Sequence, residues 1–223
     1  MENKDLEKLR VGIIVVADKI SDEVKNRFSQ SIKFSKPIPK CKVLMMCDDR
    51  KEGEPFNKCK LLNKGLRQAF KSKFDVIIQT DIDLIIPPGA IDFTCGVALE
   101  GDVCCHLPMT KMPEKEFIKY SNYDEYPWKD WRETFKTIYA TGCWNGLQPK
   151  VWKITGGFNE DMTEWGFEDR DWRARGKRHG IKWRDKWCWG RKYPLIHINH
   201  PDRTINNSSA NKQCVDKKRK SWL

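Results

Sequence analysis

Along the first part of the chain, apolar residues fall in short blocks separated by amphipathic stretches. Residues 11–17 (VGIIVVA) are β-branched, too few for a helix and closed by Asp18, which predicts a buried strand. Ser21-Asp22-Glu23 then offers an N-cap with acids in the first turn, and Val24, Phe28 and Ile32 recur at helical spacing until Pro37 and Pro39. Residues 42–47 (KVLMMC) read as a second strand stopping at Asp48-Asp49. Residues 57–70 read as a helix with Leu61, Leu62, Leu66, Ala69 and Phe70 on its apolar side. A third strand, residues 75–79 (DVIIQ), runs into Thr80-Asp81-Ile82-Asp83.

Strand, helix, strand, helix, strand at these intervals predicts an α/β fold with a mainly parallel sheet flanked by helices. Ligands of such sheets bind at the carboxyl ends of the strands. Asp18, Asp48, Asp49, Asp81 and Asp83 all fall at or near those ends, so the expected cleft is lined with carboxylates and suits a metal better than a bare phosphate. Beyond Pro88 the pattern changes. Residues 102–109 read as another strand, and residues 111–136 are polar and aromatic with no clear period, as a surface excursion would be. There is no internal repeat and no low-complexity linker. The organisation expected is one domain, in which residues 1–88, residues 89–210 and a basic tail at 211–223 differ in character.

Three groups of residues carry candidate chemistry. Asp81 and Asp83 stand two apart at a strand end, where two carboxylates can point the same way and share one divalent cation and its phosphates. An Asp-x-Asp pair is common by chance, and its position at the strand end is what singles this one out. His197 and His200 stand three apart and can meet one metal; imidazole joined to carboxylate favours manganese over magnesium alone. Trp165-Gly166-Phe167-Glu168-Asp169 opens a helix bearing Trp172, Arg173 and Arg175. Its acids can cap that helix, or supply a general base beside an indole face that covers a sugar ring.

Composition adds a charge asymmetry. The 223 residues carry a net charge of +11. Residues 170–223 hold 16 Lys and Arg against 4 Asp and Glu, while the preceding residues hold 26 against 27, so the whole excess lies in the last quarter. Such a field attracts nucleotides, nucleic acid or an anionic surface. The nine cysteines, the charged start MENKDLEKLR and the lack of a long apolar run predict a reducing, cytoplasmic setting with no transmembrane segment, a host's cytoplasm if the chain is viral. No Cys-x-x-Cys pair occurs, and Cys104-Cys105 read as small core residues on a buried strand. All ten tryptophans lie from Trp128 onward, and most are expected in the core.

On these residues a resemblance can be stated. Residues 56–83 (FNKCKLLNKGLRQAF…DVIIQTDID) resemble the donor-binding half of the β-1,4-galactosyltransferase family, and residues 141–180 (TGCWNGLQPKVWKITGGFNEDMTEWGFEDRDWRARGKRHG) its acceptor half, with the His pair last. The resemblance implies a GT-A glycosyltransferase fold. It also implies inverting transfer of a hexosyl group (galactosyl, glucosyl or N-acetylhexosaminyl) from a UDP-sugar, with Mn2+ or Mg2+ as cofactor. It implies that Phe56 packs on the nucleotide base, that Asp81 lies near ribose and metal, and that Asp49, Asn63 and Ile82 complete the donor site. Asp83, His197 and His200, with Asp81, would hold the metal. Trp165 would touch donor phosphate and acceptor sugar, Gly166 and Glu168 would bind the acceptor, and Asp169 would deprotonate the attacking hydroxyl. Phe167 stands where the family has glycine, and the family's basic motif is not evident at Ala17-Asp18-Lys19.

The expected partners are a nucleotide sugar and an acceptor. The acceptor is a glycan or, given the basic C-terminal quarter, DNA with hydroxymethylated bases as in phage-type modification. The reading from another class is a non-catalytic basic nucleic-acid-binding protein with aromatic stacking platforms. It leaves the strand-end acids, the His pair and the Trp-Gly-x-Glu-Asp loop without work.

Overall fold

A computed structural model of the chain describes residues 3–17, 21–113, 137–138, 142–164, 166–185, 195–199 and 211–212. After a short α1 (Asn3–Leu6) the chain enters β1 (Arg10–Ala17), whose residues are buried from Val11 onward. Ser21 caps α2 (Asp22–Phe34) by accepting a hydrogen bond from the Val24 N–H at 3.4 Å. Then follow β2 (Lys40–Cys47), α3 (Lys58–Lys71) and β3 (Val76–Asp81). β1 pairs in parallel with both β2 and β3, as the strand and helix intervals predict.

Beyond β3 come β4 (Leu84–Ile85), α4 (Ala90–Ala98), β5 (Val103–His106), β6 (Met109–Pro113), β7 (Thr137–Ile138) and β8 (Trp144–Leu147). These are followed by α5 (Pro149–Thr155), α6 (Glu168–Arg178), β9 (Lys182–Asp185) and β10 (Leu195–Asn199). The main sheet has the order β2-β1-β3-β8-β5-β9. β8 runs antiparallel to both its neighbours and β9 returns parallel to β5, so the sheet is mixed but mainly parallel. A second sheet, β4-β10-β6-β7, stands beside it.

The strand expected over 102–109 is two strands in different sheets. Leu107 and Pro108 separate them, and proline has no N–H to continue a ladder. Of the excursion expected at 111–136, residues 111–113 belong to β6 and the remainder lies outside the described residues. Besides the short α1, two helices were not expected. α4 (AIDFTCGVA) buries one face, Ala90, Ile91, Thr94, Cys95, Val97 and Ala98, but its other face is largely apolar too, with Asp92 as its only charged residue, so its sequence shows little amphipathic contrast. α5 is barely two turns, yet its ends are written in the chain: Pro149 opens it and Gly156, at φ 76, closes it.

Alternation along the strands feeds one core on each sheet face. Val11, Ile13, Val15, Val76 and Ile78 meet α2 and α4, while Ile14, Val16, Leu44, Met46 and Ile77 meet α3, α5 and α6. Trp172 stacks between Trp152 (4.5 Å) and Trp183 (5.1 Å), tying α5, α6 and β9 together, and its indole N–H donates to Thr155 Oγ1 at 2.8 Å. Trp144, Trp152 and Trp172 are fully buried, and Cys104 and Cys105 have no exposed surface, as expected of core residues.

Candidate active site

β3 ends at Asp81, and the turn that follows carries Ile82 and Asp83 into β4. β10 pairs antiparallel with β4, placing His197 opposite Leu84, while the Ile198 N–H donates to the Asp83 carbonyl at 2.9 Å. This register brings His197 Nε2 to 3.4 Å from Asp83 Oδ2. Residues far apart in the chain thus meet at the carboxyl edge of the main sheet. Ile82, 7% exposed, turns its side chain into the core, so only its backbone faces the cleft. Burial and the nearby charge of Asp83 push the Asp81 carboxyl above the ordinary carboxylate range, with Lys58 opposing them.

Lys58 is the residue that sequence reasoning missed. It is the first residue of α3, only 4% exposed, and its ammonium lies 3.0 Å from Asp81 Oδ1 and 3.3 Å from Glu168 Oε1. Burial alone would push the ammonium down. The two carboxylates outweigh it and hold Lys58 charged, above the ordinary lysine value. A signal was available: a cation in the first turn of a helix opposes the helix dipole, and α3 has no acid there, so a lysine at that position calls for a carboxylate from elsewhere.

The segment before Lys58 is fastened to the loop that leads to Glu168 and Asp169. The Phe56 N–H donates to Glu164 Oε1 (2.8 Å), the Glu164 N–H donates to the Phe56 carbonyl (2.6 Å), and the Asn57 amide donates to the Glu160 carbonyl (2.8 Å). Asn63, expected to bind the donor, is fully buried. Its amide donates to the Phe158 carbonyl and Glu160 Oε1 and accepts from the Phe158 N–H, so it clamps this loop. Phe56, expected to pack on the nucleotide base, is 1% exposed, and the Arg50 guanidinium lies over its ring at 5.3 Å. Asp49 lies at the surface, 3.8 Å from the Lys64 ammonium.

On the side expected to bind the acceptor, Phe167 precedes α6 at φ 69, the left-handed region in which glycine is at ease and a phenylalanine is strained. Its ring lies under Arg170 at 4.8 Å. Glu168 is buried, held by Lys58 through Oε1 and by the Gly166 N–H, which donates to Oε2 at 3.1 Å. Asp169, half-buried in the first turn of α6, packs against Gly142. Asn211, the first residue of the basic tail expected at 211–223, is 3% exposed and donates to the carbonyls of Thr163 and Gly166 at 2.9 Å each, which anchors the chain against the loop before α6 at that point. Trp165, His200 and Asp18 lie outside the described residues.

Among the described residues no three His, Cys, Asp or Glu side chains close on one point. The pair Asp83 and His197, beside Asp81, nevertheless fits a divalent cation of the manganese type, because hard carboxylate oxygen is joined to borderline imidazole nitrogen. The cleft therefore has a carboxylate and imidazole side and a carboxylate side at a helix start, joined by one buried lysine.

No family model matches the chain. Over 155 residues, 69% of its length, it is 28% identical to beta-1,4-galactosyltransferase 4 of Rattus norvegicus, and the match spans 39% of that protein. The catalytic domain of Drosophila beta1,4galactosyltransferase 7, solved with xylobiose, superposes with a TM-score of 0.63 at 16% identity, covering 95% of this chain and 82% of that one. A mutant of that enzyme, solved with manganese, UDP-Gal and xylobiose, gives 0.61 at the same identity and coverage. GalNAc-T7 with UDP, GalNAc and Mn2+ gives 0.51 at 11% identity, over 86% of this chain and 44% of that one. The chain thus has the fold of GT-A glycosyltransferase catalytic domains, with its sequence similarity directed to a β-1,4-galactosyltransferase.

Proposed function

We propose that this chain is a metal-dependent, inverting glycosyltransferase that moves a sugar from a UDP-sugar to an acceptor hydroxyl. The observation that carries this reading is the Lys58 bridge, which holds Asp81 of the donor edge and Glu168 of the acceptor loop on one ammonium. It makes a single cleft of two groups of acids far apart in sequence. The similarity to a galactosyltransferase and to folds solved with UDP-sugar, Mn2+ and xylobiose supports the same reading.

Asp83 and His197, with His200 completing the set, are the residues that would hold the cation. Bound there, the cation stabilises the negative charge that develops on the departing diphosphate. Glu168, fixed by the Gly166 N–H and Lys58, accepts hydrogen bonds from acceptor hydroxyls and orients them. Asp169 takes the proton from the attacking hydroxyl as its oxygen bonds to the anomeric carbon. The bond from that carbon to the diphosphate oxygen breaks on the opposite face, UDP leaves with the electron pair, and the anomeric configuration inverts. Trp165 would lie between donor phosphate and acceptor ring.

The acceptor we assign is a saccharide hydroxyl, the kind of ligand found with the Drosophila fold relative. A non-catalytic role in binding nucleic acid has the basic C-terminal quarter behind it and leaves the Lys58 bridge without a purpose, whereas hydroxymethylated DNA would use the same bridge and differs from a saccharide only as the acceptor. The deciding test is a panel of UDP-Gal, UDP-Glc, UDP-GlcNAc and UDP-GalNAc with and without manganese, following release of UDP. Release from at least one sugar, dependent on manganese and absent in Asp83→Ala, is expected. No release from any donor, or release indifferent to metal, would contradict the proposal.

A further inference from the structure

Asp169 packs closely against a residue with no side chain. Gly142, just ahead of β8, packs against it so closely that a Cβ built there would lie 3.2 Å from Asp169 Cβ, 3.4 Å from Cγ and 3.6 Å from Oδ2. Contacts of the first kind are tighter than side chains normally accept, so Asp169 or the backbone would have to give by a few tenths of an ångström.

The depth of Gly142 is set in turn by β3. The Gln79 amide donates to the Gly142 carbonyl at 3.0 Å, and the Asp81 N–H donates to the Cys143 carbonyl at 3.2 Å. Gln79, 2% exposed, is locked by the Asn145 amide of β8, which donates to its Oε1. The strand that ends in donor-side Asp81 therefore fixes the backbone floor on which Asp169 rests. A buried amide pair sets this floor, and it cannot drift without leaving polar groups unpaired.

We infer that Gly142, held by Gln79 and Asn145, is a positioning residue for Asp169: its bare Cα sets how deep the carboxylate sits and so how it meets the attacking hydroxyl. This rests on Asp169 being the general base. Misplacing a reacting group by about 1 Å can cost on the order of a hundredfold in rate, so shifts of tenths of an ångström cost several-fold to about tenfold.

The test is a graded series, Gly142→Ala and Gly142→Val, with Gln79→Met as a second route to loosening the same floor should the glycine variants fold poorly. UDP release is followed with UDP-Gal and manganese, with xylobiose or water supplying the attacking oxygen. We expect kcat to fall several-fold to about tenfold in Gly142→Ala, further in Gly142→Val, and several-fold in Gln79→Met, with donor KM unchanged. Placed on Asp169→Asn, none of the three should lower the residual rate further. A crystal structure of Gly142→Ala should show the Asp169 carboxylate displaced by a few tenths of an ångström.

An unmoved Asp169 in that crystal structure, or losses that recur undiminished on Asp169→Asn, would overturn the inference and leave the base assignment intact. Full activity of Asp169→Asn, or a parent protein that releases no UDP, would instead remove the reading on which it stands.

Discussion

Lys58 shows how much one side chain can carry. Its ammonium stands between Asp81 and Glu168, 3.0 and 3.3 Å away, where almost no solvent reaches. A lone buried carboxylate is costly, and two of them facing each other are worse. Removing the cation but not the carboxylates should therefore destabilise the fold by about 3–5 kcal/mol. We expect Lys58→Met to show this in chemical denaturation, with Lys58→Arg retaining most of the stability because the charge stays. An unchanged unfolding midpoint in Lys58→Met would mean that the three groups do not depend on one another. Phe167 is a second residue at which local preference yields, since it keeps a left-handed backbone and gains the Arg170 stack over its ring.

At the level of elements, β8 is the piece that joins the halves, because it inserts antiparallel between β3 and β5. It can approach α4 closely because Gly146 has no side chain; a Cβ there would overlap Thr94 Cγ2. Thr94 Oγ1 is also occupied, donating to the Ala90 carbonyl at 2.8 Å and accepting from the Trp144 indole N–H at 3.0 Å. Gly146→Ala should therefore cost about 1–3 kcal/mol by overpacking. Thr94→Ser, which deletes the clashing methyl and keeps the hydroxyl, should recover part of that loss in the double variant. Strictly additive effects in the cycle would show that the two positions do not touch.

Legibility in the sequence followed the strength of the local pattern. The β1-α2-β2-α3-β3 segment is legible because each piece is long and strongly periodic, and the strand-end rule then points to Asp81 and Asp83, which the structure sets at the end of β3. The four-stranded sheet is not, because β4 and β7 are two residues each and offer no period, and because β10 closes it from far along the chain. α4 escaped for the opposite reason, being apolar on nearly every side. His197 stands out in the sequence by its spacing to His200, and the structure sets it beside Asp83. Lys58 does not, since what makes it special lies in partners distant in sequence. Asn63 was assigned to the donor from its motif, whereas its buried amide serves the 158–160 loop.

For the whole molecule, the charge asymmetry gains a position. α6 starts with Glu168 and Asp169 at the cleft and leads away through Arg170, Lys177 and Arg178, all exposed, to His179 and Lys182. Exposed basic residues therefore follow Glu168 and Asp169 along α6, while the strand-end edge carries the carboxylates Asp81 and Asp83. A saccharide acceptor predicts that duplex DNA binds weakly, is lost between about 50 and 200 mM salt, and is held no better when its bases are hydroxymethylated. Binding that survives that range and favours the modified duplex would move the acceptor from glycan to DNA.

The central claim is that Asp169 is the base of a sugar transfer whose donor is held at Asp81, Asp83 and His197. The most direct measurement compares the parent and Asp169→Asn, in manganese and with the UDP-sugar that the panel selects, for donor affinity and for rate of transfer. The account predicts donor affinity within about twofold of the parent and a transfer rate lower by about 10²–10⁴. An Asp169→Asn protein that binds the donor and transfers it at the parent's rate would contradict it.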